Sequence, residues 1–239
     1  MVTLPSLIQS LQHHANPSKS LLAQRFFKTD KGQYSHGDIF LGITVPQQRL
    51  IAKQYHDFPL SELQPTLHTN IHEQRQTTLL ILVNQFQNAI KKHNLKQQQE
   101  IYQFILNNTK WINNWDLVDT CAPQIIGTYL LNNQKERTIL YTLAKSSNLW
   151  EKRIAIVATF TFIRNNQYQD TLNIAKILLH DHHDLIHKAI GWMLREVGKK
   201  DQNVLEQFLQ QHLNQLPRTT LRYAIERFPE HKRKEYLKK

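Results

Sequence analysis

Apolar residues recur at helical spacing along almost the whole of this chain, and that recurrence limits the fold more than any single motif does. Stripes run over 4–14, 45–54, 76–91, 97–107, 115–131, 136–145, 149–164, 171–179, 185–197, 203–213 and 219–227, and each suits one buried face of a helix. Between them stand short polar stretches such as "HANPSKS", "KSSN" and "LHDHHD", whose Asn, Ser and Asp are suited to helix N-caps. Connections this brief make sequential helices antiparallel neighbours. Gly (6) and Pro (8) are scarce among 239 residues, so the turn chemistry of an all-β chain is missing and the expected class is all-α.

The stripes that begin near Thr77, Trp115, Trp150, Ile186 and Thr219 lie about 33 to 38 residues apart, the length of a helix-pair repeat. That spacing predicts a HEAT-like solenoid of antiparallel helix pairs, about six units long, forming a single domain over 1–239 with a concave surface. Lys and Arg number 30 against 19 Asp and Glu, a net charge of +11, so the surface is expected to be a basic groove suited to a polyanion. An inert basic surface is the alternative that charge leaves open. The segment 26–49, interrupted by Gly32, Gly37 and Gly42, reads as a structured loop leading to a helix whose first turn holds Pro46. The tail "EHKRKEYLKK" reads as a basic run that frays.

Cys121 is the one cysteine, which excludes an intrachain disulfide and a cysteine-based zinc site and suits a buried small hydrophobe. The opening "MVTLPSLIQSLQHHANPSKS" lacks a basic n-region and a long apolar run, and no stretch approaches 18 apolar residues. A cytoplasmic monomer without membrane contact is therefore expected. No Gly-rich phosphate loop, dinucleotide fingerprint or nucleophile elbow is present, so no cofactor is expected. "HDHHD" at 180–184 invites a metal, but a capping loop for the helix from Leu185 is simpler, and no metal site is expected.

The stretch "WINNWDLVD" at 111–119 carries unusual chemistry for a structural helix. Trp115 and Asp119 are four apart and share a helical face, whereas Asp116 falls in the first turn after the candidate N-cap Asn114, where a carboxylate meets the helix dipole. Taken singly, Trp115 suits a core aromatic and Asp119 a solvated charge or a partner of a neighbouring helix. Arg153 stands among Ile154, Ala155 and Ile156, so it is either an internal ion-pair partner or a clamp for a phosphate or carboxylate. Trp192 and Arg195 lie three apart on one face, followed by Lys199 and Lys200. Gly191 beside them permits a close approach.

Taken together, "FLGITVPQQR" at 40–49, "WDLVD" at 115–119, "LWEKRIAIV" at 149–157, "HKAIGWMLREVGK" at 187–199 and "PRTTLRYAIERF" at 217–228 resemble, in order and spacing, the AlkD-like DNA alkylation repair glycosylases. The resemblance implies hydrolysis of the N-glycosidic bond of positively charged N3- or N7-alkylated purines in double-stranded DNA, without a base-flipping pocket. It implies Asp119 as the catalytic carboxylate, Trp115 and Trp192 flanking the lesion's deoxyribose, and Arg153 holding the adjacent backbone. Arg195, Lys199 and Phe26 fall at DNA-binding positions. Phe26 stands where members place a tyrosine, and Thr161 falls near an expected lysine. The alternative function is a non-catalytic repeat module that binds damaged or unusual nucleic acid.

Overall fold

The computed structural model describes residues 3–238, whose contacts divide into two compact units separated between Cys121 and Ala122. The first unit holds α1 (Leu4–His13), α2 (Pro17–Phe27), α3 (Val45–Gln54), α4 (Leu60–Leu67), α5 (His72–Lys91), α6 (Leu95–Asn107) and α7 (Trp115–Cys121). The second holds a wide π-type turn (Ala122–Gly127), then α8 (Thr128–Asn132), α9 (Thr138–Ala144), α10 (Leu149–Ala158), α11 (Phe160–Arg164), α12 (Gln169–Leu178), α13 (Asp184–Lys200), α14 (Gln202–His212), α15 (Arg218–Ala224) and α16 (Glu230–Leu237). The expected all-α class is observed. Among the described residues, extended pairing is confined to one isolated parallel bridge, Ile39 with Ile71.

In the first unit α5 is the central element, packing against α3, α4, α6 and α7. Its Leu79, Ile81, Leu82, Phe86 and Ala89 are fully buried. Removing such side chains from water is the main stabilising term, roughly 1.5–3 kcal/mol for each large one. Its first two turns are also buried, yet they read His72, Glu73, Gln74, Arg75, Gln76, Thr77 and Thr78. That polar run organises the neighbouring loop and α7.

The loop between α2 and α3 is held by Glu73. Its carboxylate accepts hydrogen bonds from the backbone N–H groups of Leu41 (2.9 Å), Gly42 (2.7 Å) and Ile43 (3.2 Å), while Asn16 N–H and Ser20 Oγ bond Leu41 and Phe40 carbonyls on the other side. Gly42 has φ +79°, and a Cβ there would lie 2.2 Å from the Asn16 carbonyl oxygen. Only glycine permits both the left-handed backbone and this contact. The segment is thus a built platform, as the glycine spacing suggested, and Pro46 lies in the first turn of α3.

Three helices stand outside the apolar stripes. α2 buries no residue and exposes Leu21, Leu22 and Phe26; it begins because Asn16 caps Lys19 N–H and Pro17 occupies the first turn. α4 contains Pro65 yet anchors itself through fully buried Leu63 and Leu67. α16 replaces the frayed tail expected from charge, and its Lys232 reaches Glu206 at 2.5 Å. Periodicity detects long apolar stripes, so α2 and α16, held by a cap and an ion pair, and α4, with two buried leucines over a short span, escape it.

In the second unit α13 packs against α10, α11, α12, α14 and α15. Gly191 lets α15 come close, because a Cβ there would lie 2.4 Å from Tyr223 Cβ. His183 rather than Asp or Asn caps α13, its Nδ1 accepting from Leu185 N–H, while Asp181 binds Lys152 Nζ at 2.7 Å. "HDHHD" therefore serves to start a helix. Thr161 Oγ1 donates to the Pro123 carbonyl at 2.6 Å, and Thr128 Oγ1 donates to the same oxygen, so two hydroxyls hold the wide turn. No helix among the described residues is long and apolar enough to cross a membrane.

Candidate active site

α7 presents three faces. Leu117, Val118 and Cys121 are fully buried. On Cys121, burial pushes the thiol far up, with the Asp119 charge adding to the effect, so it is a packed hydrophobe and no nucleophile. The second face, with Asp116 and Thr120, binds α5. Trp115 and Asp119 form the third, one turn apart and both half-buried, as the i, i+4 spacing requires.

Trp115 heads a column of rings. Its indole stacks on Phe27 (centroids 5.3 Å apart, 19° between planes), Phe27 on Phe40 (5.0 Å, 17°) and Phe40 on His72 (4.5 Å, 23°). Such offset pairs contribute roughly 0.5–1.5 kcal/mol each beyond burial. Phe26 meets Trp115 edge to face at 5.9 Å and is 66% exposed. Trp115 is therefore neither a fully buried core residue nor a loose one: the column holds its position while part of the ring stays open to solvent.

Beneath the column lies a charged cluster. His72 Nε2 is 2.8 Å from Asp116 Oδ2, and its Nδ1 is 3.8 Å from Asp38 Oδ2, which in turn lies 2.7 Å from Arg75 Nη2. Burial opposes a charged imidazole, but Asp116 and Asp38 outweigh burial and the nearby Arg75, so the His72 pKa rises from 6.5 to about 8. Asp116 Oδ1 also accepts from Leu117 N–H, which agrees with its expected structural place in the first turn. Asn114 accepts from Trp115 N–H and donates to Ser35 Oγ. A cleft of about 180 Å³ adjoins the cluster, lined in part by Lys19, Phe27, His72 and Asp116; neither Trp115 nor Asp119 lines it.

The residues singled out in the second unit lie on α10 and α13. Arg153, 5% exposed, donates from Nη1 to the Leu185 carbonyl at 2.8 Å, tying α10 to the first turn of α13. Trp192 is half-buried, with its ring 5.8 Å from that of Phe160. Arg195 bonds Glu226 on its Nη1 side, and Lys199 is exposed and bonds Glu196 at 2.8 Å. Both cations already have carboxylate partners within the protein.

Spacing alone put Trp115 and Asp119 on one face, and the resemblance gave Phe26 a DNA-binding position; the structure sets Phe26 against Trp115. Spacing missed His72, Asp38, Arg75 and Glu73. The one available signal was the run "HEQRQTT" at 72–78, polar at every position and followed directly by "LLILV"; a helix with that entry exposes its polar turns or buries them against another polar surface.

Residues 7–228 match the model of a family described as "DNA alkylation repair enzyme". No curated protein matches the sequence significantly. Among solved structures, the chain is similar to a protein of Enterococcus faecalis described as a "predicted DNA alkylation repair enzyme", at 16% identity and TM-score 0.69 over 91% of this chain and 98% of that one. It is also similar to AlkD2 of Streptococcus mutans, at 15% identity and TM-score 0.53 over 95% and 100%. At such identities the likeness establishes the fold, the HEAT-like arrangement of helices expected from the repeat spacing.

Proposed function

Because this chain belongs to the DNA alkylation repair enzyme family over residues 7–228, we propose that it is a monofunctional DNA glycosylase. Its substrate is double-stranded DNA carrying positively charged N3- or N7-alkylated purines, and residues 1–239 act as one repair domain. The observation that carries this reading is the third face of α7, where Trp115 and Asp119 stand one turn apart, both half-buried, and the indole is braced by stacking on Phe27.

The chemistry suits that pair. An alkylated purine cation is already a good leaving group, so the reaction does not need a strong general acid. What grows in the transition state is positive charge on the deoxyribose. Asp119 supplies a fixed negative charge beside it and orients the attacking water, while the indole of Trp115 adds cation–π attraction that strengthens as the charge develops. At about 4 Å and an effective dielectric near 20, one carboxylate stabilises such a cation by about 4 kcal/mol, roughly a thousandfold in rate. The family resemblance would add Trp192 as a second aromatic for the sugar and Arg153, Arg195, Lys199 and Phe26 as contacts to the duplex. No base-flipping pocket and no cofactor enter the scheme.

Single-turnover release of 7-methylguanine from a duplex, in chelator, tests the proposal with wild type and Asp119→Asn. Wild-type release with a loss of roughly a thousandfold in the variant, at unchanged folding and duplex binding, supports it. Failure of both proteins to release base while both still bind the duplex would reject it in favour of a binding module.

A further inference from the structure

α7 and the turn that leads into it are joined to α5 by polar side-chain contacts. Arg75 donates to Asn113 Oδ1, His72 Nε2 meets Asp116 Oδ2 at 2.8 Å, and Gln76 Nε2 donates to Thr120 Oγ1 at 2.8 Å. The three α5 residues are 1–2% exposed. Asn113 and Thr120 bind successive residues of α5, while Asp116, between them in sequence, binds a residue one turn earlier. Asn113 lies two residues before α7, whereas Asp116 and Thr120 lie on it. Three such points fix both the translation and the rotation of a short helix, which sliding apolar surfaces do not.

A buried charged network is a poor way to gain stability. Desolvation offsets most of the attraction, and an apolar contact of the same volume holds equally well or better. What directional hydrogen bonds supply is geometry. On α7 they act on the stripe adjacent to Trp115 and Asp119, so a rotation of the helix would turn both side chains away from their present direction.

Resting on the reading of Asp119 as the catalytic carboxylate, we propose that His72 is a positioning residue: its imidazolium, held between Asp116 of α7 and Asp38 of the α2–α3 loop, sets the rotation at which α7 presents Trp115 and Asp119. The charged groups facing the ring are Asp116 from α7, Asp38 from the loop and Arg75 from α5 itself. Lys19 of α2 and Glu73 of α5 line the adjoining cleft, and α2 and the loop also set the rings of Phe27 and Phe40 against the imidazole. Deprotonation turns the ion pair with Asp116 into a hydrogen bond from a neutral imidazole N–H to a carboxylate and leaves Asp38 with Arg75 as its cationic partner.

Two variants separate positioning from stability. His72→Gln keeps a donor but does not titrate. The double change His72→Leu with Asp116→Leu removes one cation and one anion together and leaves Asp38 paired with Arg75. Single-turnover release of 7-methylguanine is followed from pH 6 to 9.5, with melting temperatures and with near-ultraviolet circular dichroism, read as the difference between each protein and the same protein carrying Trp115→Phe. Wild type is expected to slow as pH rises through about 8, with the Trp115 signal changing over the same window and His72→Gln changing in neither. The double Leu variant is expected to melt no lower than wild type yet to release base roughly ten- to a hundredfold more slowly, the scale of a misplaced reacting group.

A double Leu variant at wild-type rate, or a His72→Gln profile that keeps the wild-type pH limb, would overturn the proposal. If no base is released by wild type at any pH while the Trp115 signal still titrates and His72→Gln abolishes that change, the catalytic reading of Asp119 fails and the positioning role of His72 stands. A Trp115 signal indifferent to pH and to His72→Gln overturns the positioning role whatever the chemistry does.

Discussion

Glu73→Gln is the sharpest test of how the site is built, because the geometry fixes what a carboxamide loses. Glu73 Oε1 accepts from Gly42 N–H (2.7 Å) and Ile43 N–H (3.2 Å), and Oε2 accepts from Leu41 N–H (2.9 Å); the residue is 3% exposed. Glutamine has one acceptor oxygen. Placed on the Oε1 side it keeps two bonds and sets its NH₂ against the Leu41 N–H, donor against donor. Leaving that amide unsatisfied costs about 1–3 kcal/mol, and the two remaining bonds weaken because the acceptor is no longer charged. The sum is about 2–4 kcal/mol, which for a chain of this size lowers the melting temperature by about 4–16 °C. Differential scanning calorimetry reads this directly. A fall below about 2 °C would show that the loop does not depend on the Glu73 charge and would remove the physical basis for Phe40 being held against Phe27 and His72.

Other expectations follow from the same contacts. The His72 pKa is higher folded (about 8) than unfolded (6.5), so the stability it contributes is fully present below pH 6.5 and is lost as pH rises through 8; from pH 6 to 9 the wild-type urea midpoint should fall relative to that of His72→Gln, and parallel midpoints would contradict the raised pKa. Gly191→Ala puts a Cβ 2.4 Å from that of Tyr223 and 2.7 Å from the Thr220 carbonyl oxygen, and overpacking of this kind costs about 1–3 kcal/mol; an unshifted melting temperature would contradict the close approach of α13 and α15. Phe26→Ala removes a ring that is 66% exposed but sits edge to face on Phe27 and Trp115, so stability should fall by about 0.5–1.5 kcal/mol, while duplex binding measured by fluorescence anisotropy weakens; full retention of binding would exclude Phe26 from the DNA contacts.

Much of this protein was legible in its residues alone. The helical period determined the all-α class and the spacing of its repeats, because a helix that buries one face needs apolar residues every three or four positions. The i, i+4 interval determined that Trp115 and Asp119 share a face, since that follows from helix geometry and needs no neighbours. What only the tertiary structure decided is everything that depends on polar groups paired across long sequence separations. Glu73 grips amides about thirty residues earlier, and His72 joins Asp116 from 44 residues away. α2 is a helix despite burying nothing. Hydrophobic patterning treats a polar residue as exposed; burial in matched pairs breaks that assumption, and the pairing partners are fixed only when the chain has folded.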